Sequence, residues 1–136
     1  MAALSPLSKQ KNFGLLVFRI AIGAIMLIFH GYPKLIGGPS TWEGVGGSMG
    51  YLGINFLPVF WGFMAMAIEL VGGLLIILGL WHRPASFLLM LTMIVAYIHH
   101  TAAGDGWGVA EKPFILIFVF FVMIFTGPGK YSVDKR

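Results

Sequence analysis

The chain has no cysteine among its 136 residues, and only 10% of them are charged. Without cysteine there is no disulfide, iron–sulfur cluster, thiolate metal site or CxxC pair, so a redox role would have to be borrowed from a lipid-soluble or bound cofactor. So few charges cannot cover the surface of a water-soluble domain. A phosphate-cradling loop, a dinucleotide fingerprint, an HExxH pair and a nucleophile elbow are also missing. Nine Lys and Arg against five Asp and Glu leave a formal charge of +4, yet the basic residues form no patch suited to nucleic acid. Lys9, Lys11, Arg83, Lys130, Lys135 and Arg136 stand at the ends of apolar runs, where basic side chains set membrane orientation.

What is present is apolar. Hydrophobic residues make up 58% of the chain and the mean hydropathy is +0.89, the composition of an integral membrane protein. At about 20 apolar residues per spanning helix, the length holds roughly four spans with short connections and no appended soluble domain. The expected spans are 12–30, 58–80, 84–103 and 111–126. The first follows a basic stretch but is not trailed by a small-residue cleavage pattern, so it reads as a retained helix. The second opens on Pro58, where a missing N–H is harmless, and stops near Gly79. Pro84 opens the third after the Trp81-His82-Arg83 turn, and Gly104-Asp105-Gly106-Trp107-Gly108 breaks it. The last approaches spanning length only with the Glu111-Lys112-Pro113 turn and stops at Gly127-Pro128-Gly129, which makes it marginal. The expected fold is an all-α, single-domain bundle of four transmembrane helices with both termini on one side. The bias of basic residues puts that side in the cytoplasm.

Residues 31–57 are too apolar for a solvated loop and too rich in glycine for a straight span. They read either as one or two short amphipathic or re-entrant pieces at the outer interface, over the mouth of the bundle, or as an irregular interfacial loop.

Arg19 and Glu69 carry the strongest chemical signal, because an ionisable group in hydrocarbon persists only when it faces the bundle interior with a partner. Counted from the cytoplasmic boundary at 1.5 Å per residue they lie about 10 Å and about 16 Å deep on antiparallel helices, within reach of each other. The expectation is a buried pair that fixes helix register, relays protons, or both. Arg19, Gly23, Met26 and His30 share one helical stripe. Gly62, Ala65, Gly72 and Gly73 flank Glu69 and suit close helix approach. His30 and Lys34 on one side, and Tyr97, His99 and His100 on the third helix, are expected at the outer end as ligand contacts, for proton exchange with a quinone headgroup. Adjacent histidines point about 100° apart on a helix, so one of His99 and His100 is expected to face the site. No metal site is predicted, although His30, His99 and His100 carry nitrogens able to ligate a metal or haem. His82 reads as an interfacial residue near headgroups. The Phe114, Phe118, Phe121, Phe125 stripe reads as a packing or lipid-facing surface, and Met64, Met66, Met90 and Met93 as core fillers.

An Arg in the first span, then Ile28-Phe29-His30-Gly31-Tyr32-Pro33-Lys34-Leu35, Glu69-Leu70-Val71-Gly72-Gly73 through Gly79 to Arg83, and a closing Gly127-Pro128-Gly129 together resemble the DoxX family of small four-helix bacterial membrane proteins. The likeness runs from about residue 15 to residue 132. It implies a four-helix bundle of the cytoplasmic membrane, in which some relatives act as quinone-reducing subunits and others belong to redox-stress complexes or help assemble membrane proteins. It marks Arg19, His30, Gly31, Lys34, Glu69, Gly72, Gly79 and Arg83. Three functions stand open: a quinone- or apolar-ligand-binding membrane subunit of a redox complex, a non-enzymatic scaffold or assembly factor, and a small transporter or lipid handler. The last would require oligomerisation at this length. The cofactor stays open, with a quinone ranked ahead of haem or metal. The expected partners are membrane lipids, a redox subunit and a second copy of the chain.

Overall fold

In a computed structural model of the chain, residues 5–134 are described; Lys135 and Arg136, counted above among the cytoplasmic basic residues, lie outside them. All regular structure among the described residues is helical, with no strand. The helices are α1 (Ser5–Ser8), α2 (Lys11–Ala24), α3 (Tyr32–Gly46), α4 (Pro58–Leu78), α5 (His82–Ala102) and α6 (Trp107–Thr126). A π-helical stretch, Ile25–Gly31, joins α2 to α3, and a 3-10 helix, Gly47–Leu52, follows α3. Among the described residues, four stretches are long and apolar enough to cross a membrane: Lys11–Leu52, Pro58–Leu78, His82–Ala102 and Trp107–Thr126.

The first helix does not end at His30, as the sequence suggests. The wider π turn resets the hydrogen-bonding register instead of breaking it, and Pro33, whose N–H is missing, falls where the register is already changing. The interruption comes later, at Gly38 (φ +69, ψ −162) followed by Pro39, a backbone conformation open to glycine alone. Trp42 Nε1 donates to the Lys34 carbonyl at 2.8 Å across this kink. Residues 32–46 are therefore two short helical pieces meeting at the Gly38 kink, in keeping with the one or two short pieces expected, and the second approaches α4 where Trp42 and Gly46 meet Gly62 and Pro58.

Contacts along α4 run in reverse order to those along α2 and α3, so the two are antiparallel. A side chain at Gly23 would strike the backbone of Gly73 and Ile77; one at Gly31 would strike Leu70; one at Gly62 would strike the Trp42 carbonyl; and one at Gly46 would strike the Pro58 carbonyl. The small residues beside Glu69 thus allow close helix approach, as expected. Met26, Ile76, Ala85, Leu89, Met93, Phe120 and Met123 form one buried cluster from the π stretch, α4, α5 and α6. Met66 is buried as well, whereas Met64 is exposed. Phe118, Phe121 and Phe125 face outward on α6, the lipid-facing alternative for that stripe.

α6 begins at Trp107, earlier than the sequence suggests, with Pro113 inside it and buried. Its 20 residues are a full spanning length. The expected turn at Glu111-Lys112-Pro113 does not form.

After α6 the chain folds back under the bundle. Val133 and Asp134 donate their N–H groups to the Leu78 and Gly79 carbonyls at 3.1 and 2.9 Å, and Lys130 N–H reaches Asn12 Oδ1 at 2.9 Å. The beginning of α2 and the segment after α6 thus meet at one end. There the Asp134 carboxylate takes the N–H groups of Trp81 and His82 at 2.9 and 3.0 Å, capping α5.

Candidate functional site

The two buried charges of the interior have different partners from those expected. Arg19 is 2% exposed and donates only to carbonyls: Nε to Ile76 at 3.0 Å, Nη2 to Ile77 at 3.1 Å and to Tyr131 at 2.8 Å, and Nη1 to Pro128. Glu69 is 3% exposed and is paired with Lys34, whose Nζ lies 2.7 Å from Oε2. The contact is a buried ion pair, and the same ammonium donates to the His30 carbonyl at 3.2 Å. The Arg19–Glu69 pair does not form, for two physical reasons. Near the end of α4 the Ile76 carbonyl takes only the capping Gly79 N–H at 3.1 Å and keeps a lone pair to spare, and it and the Ile77 carbonyl meet the guanidinium first. The helical continuation through Gly31 carries Lys34 alongside Glu69.

The Lys34–Glu69 pair lies on the wall of a cavity of about 610 Å³, within the range of small-molecule sites. His30, Ser48, His99 and His100 add polar groups to its lining; Met64, Ile68, Leu88, Leu91, Met93 and Val95 make much of it apolar. Trp61 also lines it, and its buried Nε1 has no hydrogen-bond partner. His99 Nδ1 lies 3.0 Å from Ser48 Oγ, and its ring meets Tyr51 edge-on at 5.6 Å. His100 Nδ1 lies 2.7 Å from Asp105 Oδ2.

The structure brings His30, Lys34, Glu69, His99 and His100 to one cavity, including both adjacent histidines where one was expected. Tyr97 is not among the lining residues and packs on Phe114 of α6 at 5.3 Å. Arg19 lies away from the cavity and anchors the segment after α6. His82, expected at the interface, is fully buried with both ring nitrogens unpartnered. Arg83 donates from Nε to the Ile124 carbonyl at 2.9 Å and holds the end of α6. Sequence reasoning missed Ser48 and Trp61. Ser48 sits in a glycine-rich run that gives no register, whereas Trp61 is one turn past Pro58 and eight residues before Glu69, a helical spacing that could have found it.

Four apolar helices of spanning length, with an amphipathic cavity and a buried ion pair among them, define a polytopic helical membrane protein. The DoxX family model matches residues 14–102, and the chain belongs to the DoxX family. That match takes in every cavity-lining residue except Pro113. An uncharacterized protein of Haemophilus influenzae is 32% identical over 98% of this chain and 97% of its own length. The Bacillus subtilis protein named "Putative oxidoreductase CatD" is 30% identical over 94% of this chain and 90% of its own. "Inner membrane protein YphA" of Escherichia coli is 30% identical over 90% of this chain and 89% of its own. No solved structure gives a significant match.

Proposed function

We propose that this DoxX-family protein resides in the bacterial inner membrane with both termini in the cytoplasm, and that it binds a quinone-class ligand as the membrane subunit of a redox complex. One observation carries this reading: the Lys34–Glu69 pair opens onto a largely apolar cavity of about 610 Å³ that also presents His30, His99 and the Trp61 indole. A quinone matches it in kind, with a flat apolar ring and tail for the walls and two carbonyl oxygens for N–H donors. Reduction of a quinone to a quinol consumes two electrons and two protons. Lys34 Nζ, exchanging through Glu69, and the His99 imidazole are the groups able to deliver protons to those oxygens. With no cysteine in the chain, the electrons come from a partner subunit that carries its own redox group. The names of the Bacillus subtilis and Escherichia coli relatives agree with a redox role and with the inner membrane.

The test is titration of the protein in lipid nanodiscs with decylubiquinone and with a short-chain menaquinone, read by quenching of tryptophan fluorescence. Saturable binding is expected for one of them, weakened at least tenfold by Lys34→Ala and by Glu69→Gln in variants that keep wild-type helix content. Absence of saturable binding to folded protein would remove the quinone reading and leave the scaffold reading in its place.

A further inference from the structure

The end of α5 winds into a tight turn that gathers its last polar side chains. Ala103 N–H donates to the His99 carbonyl at 2.8 Å, Gly104 N–H to Thr101 at 3.2 Å and Asp105 N–H to His100 at 3.1 Å. Gly104, at φ +73, turns the chain back so that Asp105 returns beside the residue five positions earlier. Its Oδ2 lies 2.7 Å from His100 Nδ1. The His99 and His100 rings lie 5.1 Å apart at 80°. One donor atom from each of His99, His100 and Asp105 falls within 4.8 Å of the other two.

We propose that His99, His100 and Asp105 bind a single divalent transition-metal ion of the zinc class at the rim of the cavity. Two imidazoles and one carboxylate suit Zn²⁺, Co²⁺ or Fe²⁺ over Ca²⁺ or Mg²⁺, which take all-oxygen sets. Metal–ligand distances of about 2.0–2.1 Å place ligand atoms of a tetrahedral ion about 3.4 Å apart. Asp105 is 39% exposed, and rotation of its side chain away from its present 2.7 Å contact with His100 brings the three donors toward that spacing. With Ser48 Oγ 3.0 Å from His99 Nδ1, the ring ligates through Nε2 and the hydroxyl holds its orientation, the role an outer hydrogen-bond partner plays for a metal-binding histidine. Three protein ligands leave a coordination position open. His99 and His100 both line the cavity, so the ion sits beside its wall. The site stands independently of the quinone reading, since an ion binds there with the cavity empty.

The experiment uses full-length protein carrying an affinity tag without histidine, stripped with chelator and held in nanodiscs. It is titrated with Co²⁺, read by d–d absorption, and then with Zn²⁺ in competition. One equivalent per chain is expected, with Zn²⁺ displacing Co²⁺. Asp105→Asn and His100→Ala each weaken Co²⁺ binding at least tenfold while circular dichroism keeps the wild-type helix content. Ser48→Ala weakens it by about tenfold, and Glu43→Gln, an exposed carboxylate elsewhere, leaves it unchanged. Asp105→Asn is nearly isosteric on an exposed residue, so it separates loss of a ligand from loss of the fold. The proposal is overturned if Co²⁺ shows no saturable binding, or if Asp105→Asn and His100→Ala bind it as the wild type does.

Discussion

The Arg19 guanidinium donates to the carbonyl of Pro128, 109 residues further along the chain, and so ties the middle of α2 to the segment that follows α6. Together with Ile76, Ile77 and Tyr131 this makes four carbonyls satisfied by one buried cation. A planar fork with five N–H donors serves such an arrangement, and an ammonium with three donors does so only in part. Arg19→Met should cost about 3 kcal/mol or more, since each hydrogen bond to a charged group contributes roughly 1.5–3 kcal/mol. Arg19→Lys should fall between the two. Thermal unfolding in mild detergent measures both, and equal midpoints for Lys and Met would show that the fork geometry contributes nothing.

Lys34 and Glu69 form the ion pair of the interior, so the charge exchanges that preserve the fold differ from those the sequence suggests. Arg19→Glu with Glu69→Arg leaves the carbonyls at the end of α4 facing a carboxylate and strands Lys34 beside a second cation. That double variant should be less stable than either single one. Lys34→Glu with Glu69→Lys keeps the pair and should recover most of what each single change loses, about 3–5 kcal/mol for a buried charge left alone. A double-mutant cycle on unfolding midpoints decides it; additive effects at Lys34 and Glu69 would mean that the two side chains do not interact.

Where the sequence was readable, local signals did the work: Pro58 and Gly79 bracket α4, and Gly104 closes α5. The first helix misled because Gly31, Pro33, Gly37 and Gly38 all read as breakers, although only Gly38 takes a non-helical conformation. Ending that helix at His30 put Lys34 outside the bundle and left Arg19 as the apparent partner of Glu69. The acceptors of Arg19 are backbone carbonyls, which carry no residue-type signature. Helical spacing could not exclude Tyr97, which stands about 200° from His99 but only about 60° from His100, three residues on. The cavity itself depends on how the bent α3 returns to α4 at Trp42 and Gly62, and no periodicity encodes that.

That return gives a contrast between two glycines. A Cβ at Gly62 would overlap the Trp42 carbonyl, whereas one at Gly14 meets nothing. Gly62→Ala should destabilise by about 1–3 kcal/mol through forced backbone displacement. Gly14→Ala should be neutral or stabilising by up to about 1 kcal/mol, as alanine is the better helix former. Unfolding midpoints measured side by side in one detergent check the pair, and equal values would mean that α3 and α4 do not approach so closely.

Asp134 caps α5 from the far end of the chain. Asp134→Ala frees two N–H groups and removes a negative charge from a helix N-terminus, a loss of about 1 kcal/mol. Faster hydrogen exchange at Trp81 and His82 should accompany it. Unchanged exchange there would mean that the carboxylate does not hold those N–H groups in the membrane.

The cavity offers a test that separates occupancy from stability. Ala65 lines it between Trp61 and Glu69 on α4, and a larger side chain there projects into open space. Ala65→Trp should therefore keep or raise the unfolding midpoint, because filling a void adds contacts without displacing the backbone. The same variant should weaken quinone-analogue binding at least tenfold, since the indole occupies volume the ligand needs. Lys34→Ala reaches a similar loss by removing a polar contact and leaves the volume intact, so the two variants report on different walls of one site. If Ala65→Trp binds the analogue as tightly as the wild type while Lys34→Ala does not, the ligand lies against Lys34 outside this cavity. If Ala65→Trp instead lowers the midpoint, the space beside Glu69 is smaller in the bilayer than about 610 Å³, and the bundle closes around the ion pair when no ligand is bound.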